Sequence, residues 1–118
     1  RTDSPLQALI LLNGTQYVEA ARVLGERIHQ EAQGNLAKMI ELGFLRCLSR
    51  QPDARELHIC TQLYQEQLAH FKTVPQEAEE LLKVGAAKRD VLLPLPEAAA
   101  ATVLAQTLLN HDACVVKR

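Results

Sequence analysis

The sequence predicts an all-α fold, a compact bundle of about five to six helices with one extended Pro-rich strap before the last helix. Three observations predict it. Hydrophobic residues make up 47% of the chain but aromatic residues only 3%, with no Trp. The core must therefore be built from Leu, Ala, Ile and Val, a set that favours helix over strand. Apolar residues recur at helical spacing between cap and stop signals. The period-2 alternation that strands need is absent throughout. A chain of 118 residues fits one helical domain, 1–118. It can bury roughly two-thirds of its unfolded surface, so neither a disulfide nor a metal is needed to fold it.

The first element is expected over Pro5–Leu12. Ser4 is placed to cap it, Pro5 suits the first helical position, and Gln7, three residues after Ser4, completes a capping box. Asn13-Gly14 is expected to break the helix. Asn13 with Gln16 then repeats the cap-plus-three pattern at the head of a second helix. That helix is expected to carry Tyr17, Ala20, Ala21, Leu24 and Ile28 as its apolar stripe and to stop at Gly34. Asn35 can cap a third helix, with Leu36, Met39, Ile40, Gly43, Phe44 and Cys47 along one side. Leu42, Leu45 and Leu48 widen that stripe, so this helix is expected among the most buried.

Ser49-Arg50-Gln51-Pro52 reads as a loop, because Pro52 pushes Gln51 out of the helical region. Asp53 with Glu56 is another cap-plus-three signature. It opens a helix running to about Lys72, with Leu57, Cys60, Tyr64, Leu68 and Phe71 inward. Pro75 starts a short helix that turns Ala78, Leu81 and Leu82 inward and stops at Gly85. Ala86–Leu95 is the strap, its leucines anchoring it to the body. The last helix is expected from Pro96 to about Asn110, with Ala101, Leu104, Ala105 and Leu108 inward.

Charge excludes several functions. The formal net charge of −1 lacks the clustered positive charge of a nucleic-acid footprint or a polybasic membrane patch. No apolar run approaches the ~20 residues of a membrane span. Three cysteines, Cys47, Cys60 and Cys114, cannot all pair with one another, and buried free Cys behaves as a small hydrophobe.

Candidate chemistry is sparse. Glu26 and His29 form one E-x-x-H pair, read as exposed and charged, whereas a di-iron helical site needs two such pairs and two further glutamates. His58 and Cys60 diverge by about 200° on a helix and should not share a metal. His111 and Cys114 lack companions to complete four ligands. Glu66 and His70 read as an i, i+4 surface pair. No phosphate loop, nucleophile elbow or haem-attachment motif is present. No catalytic, cofactor-binding or metal residue is assigned.

Three blocks carry a family resemblance. Arg1-Thr2-Asp3-Ser4-Pro5-Leu6-Gln7-Ala8-Leu9 with Leu11-Leu12-Asn13 and Tyr17-Val18-Glu19-Ala20-Ala21-Arg22 resembles an R-T-N-T-P-L-Q-A-L…L-L-N…F-V-E-A-A-R block. Arg46, Leu48, Ser49, Arg50, Pro52, Glu56 and Leu57 are similar to R-x-x-L-G-R-x-P-x-x-x-E-L, with Ser49 in place of the usual Gly. Leu108-Leu109-Asn110 followed by Asp112 is similar to a final L-L-N block. These belong to a C-terminal domain of unknown function found in large planctomycete proteins, which often carry a planctomycete cytochrome c-like domain. Ala101 stands where an aromatic is common and Cys114 where a bulky apolar residue is usual. The change at Ala101 suggests a looser or differently filled contact under the last helix.

The resemblance implies an extracytoplasmic parent, periplasmic or secreted, and other domains of that parent as partners. Arg1 in place of an initiator Met accords with a processed or excised part of a longer protein. The expectation is a non-catalytic helical module, in which Pro5, Gln7, Asn13, Arg50, Pro52, Glu56 and Asn110 fix loops and helix ends. Asn13 is the foremost capping candidate. The alternative is part of an enzyme acting on carbohydrate with redox help from an upstream haem domain. Convergence of Arg50, Asn13 and Asn110 on an open pocket would favour the alternative, and their use in backbone hydrogen bonds the module.

Overall fold

The structure, a computed structural model, describes the backbone of residues 5–83 and 93–117 and the side chains of residues 18–83 and 93–110. Five helices appear among them: α1 (Pro5–Ala32), α2 (Leu36–Leu48), α3 (Ala54–Thr73), α4 (Pro75–Leu82) and α5 (Leu95–Lys117). No strand occurs among the described residues. The all-α bundle is the fold the composition and periodicity predict.

The expected break at Asn13-Gly14 does not occur, because α1 runs from Pro5 to Ala32 without interruption. Asn13 is an interior helical position and not an N-cap, so the two expected helices are one. A glycine inside a helix costs only about 1 kcal/mol relative to Ala, and the long packing of α1 against α5 outweighs it. Pro5 does open the helix. The expected Ser4 cap and Gln7 capping box lie outside the described side chains.

The end of α1 is a Schellman turn. The Gly34 N–H donates to the His29 carbonyl and the Gln33 N–H to that of Gln30, both at 3.1 Å. Two successive residues turn left-handed there, Gln33 at φ 55° and Gly34 at φ 80°. Asn35 then caps α2, its side chain accepting from the Lys38 N–H at 3.0 Å.

The fifth helix is the centre of the molecule. It packs against all four others, and every residue from Ala98 to Gln106 is buried. A helix apolar around its whole circumference belongs in a core, and the run Ala98–Ala105, interrupted only by Thr102, carries that signal. The most buried helix is therefore α5, where α2 was expected among the first. Leu45 of α2, expected inward, is 45% exposed. The helix also continues past Asn110 to Lys117, so Asn110 does not end it. Its start lies at Leu95, where the Pro94 carbonyl accepts the first bond from the Ala98 N–H at 2.8 Å. Pro96 sits in the first turn, where its missing N–H has no intrahelical partner to lose.

Two clusters fill the core. The larger joins Ile28, Met39, Ile40, Phe44, Cys60, Tyr64, Leu104 and Leu108. The smaller joins Phe71, Ala78, Leu82, Leu93, Ala98 and Val103 under α4. Most of the expected strap, and the Gly85 stop, lie outside the described residues, but Leu93 anchors in the second cluster.

Gly25 permits the closest approach of α1 to α5. A Cβ built on it would stand 2.7 Å from the Ala101 carbonyl oxygen. Of the looser or differently filled contact that Ala101 suggested, the structure shows the second, a tight one made with the Gly25 backbone. Backbone meets backbone there, and a larger residue on α1 would hold the helices apart.

The inward face of α1 also differs from the expected stripe. Val18, Ala21, Arg22, Gly25, Ile28 and Ala32 are buried, whereas Ala20 is exposed. The side chain of Tyr17 lies outside the described residues.

Candidate functional site

Three of the residues singled out in the sequence meet in one place, the turn between α2 and α3. Ser49, the C-cap of α2, is left-handed at φ 58° and ψ 32°, with its N–H donating to the Leu45 carbonyl. The chain then reverses through Pro52 into Asp53, the N-cap of α3. The Asp53 carboxylate accepts from the Glu56 N–H at 2.7 Å. The Glu56 carboxylate accepts in return from the Asp53 N–H at 3.0 Å. This reciprocal capping box satisfies two otherwise orphaned backbone donors at the head of α3.

Arg50 closes the turn. Its guanidinium donates to both oxygens of Glu56, at 2.8 and 2.7 Å, and to the Gln51 carbonyl at 3.1 Å. It also lies over the Phe44 ring, 5.5 Å from the centroid, within the range of a cation–π contact. The Glu56 carboxylate, by hydrogen bond and charge, holds the Arg50 guanidinium still more firmly protonated, with Asp53 adding to the effect. A left-handed C-cap explains why the resembled motif carries Gly at the Ser49 position, since Gly adopts that backbone without steric cost.

The other named residues stand apart from this turn. Pro5 opens α1. The side chains of Gln7 and Asn13 are outside the described residues. Asn110 is half-buried on α5.

A second polar site was not legible as such. Arg22 and Glu26 pair across one turn of α1 at 3.2 Å, with side chains only 1% and 10% exposed. Thr102 and Gln106 are the buried polar residues among the described side chains of α5, and Thr102 donates back to the Ala98 carbonyl at 2.8 Å. The expectation that Glu26 and His29 form an exposed charged pair is therefore corrected. Glu26 is buried and turned to Arg22, because the docking of α5 covers that face of α1. Arg22 closes the first resembled block, which marked it as part of a motif without indicating burial.

His70 also has a different partner from the one expected. Its Nε2 lies 2.6 Å from the Glu77 carboxylate of α4, not paired with Glu66 on its own helix. The single-residue link at Val74 brings α4 back beside the end of α3, so the nearer carboxylate comes from the next helix.

Burial shifts two neutral groups of the core. It pushes the Cys60 thiol up to about 11, with the Glu56 charge adding to it. It likewise pushes the Tyr64 hydroxyl up to about 12, with help from Glu97. Among the described residues, no group of three or more His, Cys, Asp or Glu side chains could hold a metal ion. No helix of the described residues is long and apolar enough to cross a membrane. On the outer side of α1 and α2 lies an open groove of about 520 Å³, lined by Glu19, Ala20, Val23, Leu24, Arg27 and Arg46.

Helices packed around a central α5, with a motif that closes a helix junction, define an all-α helical domain. The chain belongs to the family described as "Protein of unknown function (DUF1553)", whose model matches residues 1–64. That span covers α1, α2, the Arg50–Glu56 turn and half of α3, but not the Leu108-Leu109-Asn110 block. No curated protein and no solved structure matches the chain.

Proposed function

We propose that this domain is a non-catalytic packing or interaction module of a larger extracytoplasmic protein. The observation that carries the reading is the use made of the motif. Arg50, one of the three residues whose convergence on a pocket would favour the enzyme reading, is taken up by Glu56 and the Gln51 carbonyl in the α2–α3 turn. Asp53 and Glu56 spend their carboxylates on each other's backbone. These are bonds that hold a helix junction.

The extracytoplasmic setting and a planctomycete parent rest on the resemblance to C-terminal domains that accompany cytochrome c-like domains, since c-type haem is attached outside the cytoplasm. The test is to express the chain together with the separately encoded remainder of its parent gene. The two pieces are expected to co-purify and to be exported when the parent's own leader is retained. Failure to associate, or retention in the cytoplasm with the leader in place, would overturn the proposal.

A further inference from the structure

The helix α1 runs unbroken through Asn13-Gly14, the pair expected to end it. We infer that this pair is a site of spontaneous deamidation that the helix holds shut, so that conversion there marks the opening of α1.

Asn followed by Gly is the dipeptide most open to this reaction. The Gly14 nitrogen gives up its proton to base and attacks the carboxamide carbon of Asn13. The carboxamide nitrogen takes up a proton and leaves as ammonia. The five-membered imide that results adds one water and opens at either carbonyl, to aspartate or to isoaspartate. Water is the only co-reactant, and nothing is oxidised or reduced. Glycine favours the attack because no Cβ crowds its nitrogen. The chain has three Asn residues, and Asn13 alone precedes Gly. Asn35 precedes Leu36 and Asn110 precedes His111. The Asn35 side chain is also engaged, accepting from the Lys38 N–H at 3.0 Å.

The helix denies the attack on two counts. A helical residue has ψ of about −42°, whereas the imide ring needs the Gly14 nitrogen eclipsed with the Asn13 Cβ. The N–H of a residue inside a helix is also committed to the carbonyl four residues back, which withholds its proton from base. Both residues lie inside Pro5–Ala32, more than one turn from either end. Reaction therefore waits on local opening, and its rate is that of the open chain scaled by the open fraction.

The conversion runs one way. Aspartate sets a new charge inside the helix. Isoaspartate inserts an extra carbon into the main chain, which throws the i→i−4 bonds out of register. The helix that is hindered from re-forming is the one α5 packs against most extensively.

The test incubates the whole chain in warm, mildly alkaline buffer, with and without guanidinium chloride. Residue 13 is followed by mass spectrometry, and circular dichroism checks that the native sample stays folded. Trypsin cuts after Arg1 and Arg22, and the peptide between them holds Asn13 as its only Asn. In denaturant that peptide is expected to change from the Asn to the Asp mass, well ahead of Asn35 and Asn110. In native buffer the change is expected to be at least about tenfold slower, which corresponds to an opening free energy of about 1.4 kcal/mol or more. Gly14→Ala is expected to slow the reaction in denaturant. Gln16→Pro, which interrupts α1 beside the pair, is expected to raise the native rate toward the denatured one. Equal rates in the native and denatured chain would overturn the inference. So would the absence of conversion at Asn13 in denaturant, or a Gln16→Pro chain that converts as slowly as the native one.

Discussion

The Glu56 carboxylate serves Arg50 and the head of α3 at once. Its two oxygens receive the Arg50 guanidinium at 2.8 and 2.7 Å, and one of them also accepts the Asp53 N–H at 3.0 Å. One side chain thus ties the end of α2 to the start of α3. Asp53→Ala should cost about 1 kcal/mol, the usual loss of an N-cap, read as a lower urea midpoint. Arg50→Gln should destabilise less, because the pair is solvent-exposed, and should flatten the dependence of stability on salt. An unchanged midpoint in Asp53→Ala would show that the capping box is not needed.

Ser49→Gly should stabilise the protein. Ser49 sits at φ 58°, a conformation that costs a residue with a Cβ roughly 1–2 kcal/mol. Glycine adds about 0.4–1 kcal/mol of unfolded-chain entropy. The net expectation is a gain of about 0.5–1 kcal/mol in thermal or chemical denaturation. Gln33→Gly, at φ 55°, should behave alike. A loss in both variants would show that the side chains contribute more than the strain costs.

At Gly25 the sign reverses. Helix propensity alone would reward Gly→Ala by about 1 kcal/mol. The added methyl group would meet the Ala101 carbonyl at 2.7 Å, and α1 and α5 would have to separate. Gly25→Ala should therefore destabilise by about 1–3 kcal/mol, the usual penalty of overpacking. Gly43→Ala should cost less, since the atom it meets is the end of the Leu108 side chain, which can change rotamer. Equal effects at the two glycines would contradict the close backbone approach.

The Arg22–Glu26 pair is buried, so breaking it should differ from removing it. Glu26→Ala alone should cost up to about 3–5 kcal/mol, because the guanidinium stays buried and loses the carboxylate one turn ahead of it. The double variant Arg22→Met with Glu26→Leu should recover much of that loss, because apolar residues of similar volume often replace a buried pair without penalty. A double-mutant cycle in urea measures the difference, and additive losses would contradict the coupling.

Alkaline pH should unfold the protein from the core. The folded Cys60 thiol ionises near 11 and the Tyr64 hydroxyl near 12, both above their ordinary values. A raised folded pKa means the neutral form is favoured in the native state. That stability is fully present below the ordinary values and is lost as pH rises through the folded ones. Melting temperature should therefore fall from about pH 9 toward pH 12. In the Tyr17→Phe variant, tyrosinate absorbance should report Tyr64 alone and appear together with unfolding. In the native protein near neutral pH, Cys60 should resist a thiol reagent that labels it quickly in denaturant. Rapid native labelling would contradict its burial.

The sequence by itself determined the features whose partners lie within one turn. Asn35 and Asp53 act on N–H groups three residues ahead, so cap, partner and stop signal sit in one short window. The helical period of α2 and α3 and the all-α class were legible for the same reason. Tertiary structure decided what depends on a distant helix. Asn13-Gly14 carries only a small local penalty against helix, and the packing of α5 along α1 overrode it. Arg22 and Glu26 look like ordinary surface charges until α5 covers that face. Gly25 reads as a weak helix former until the Ala101 backbone arrives beside it. Local hydrogen bonds are written in spacing, whereas burial is a property of which surfaces meet, and no window of sequence contains both surfaces.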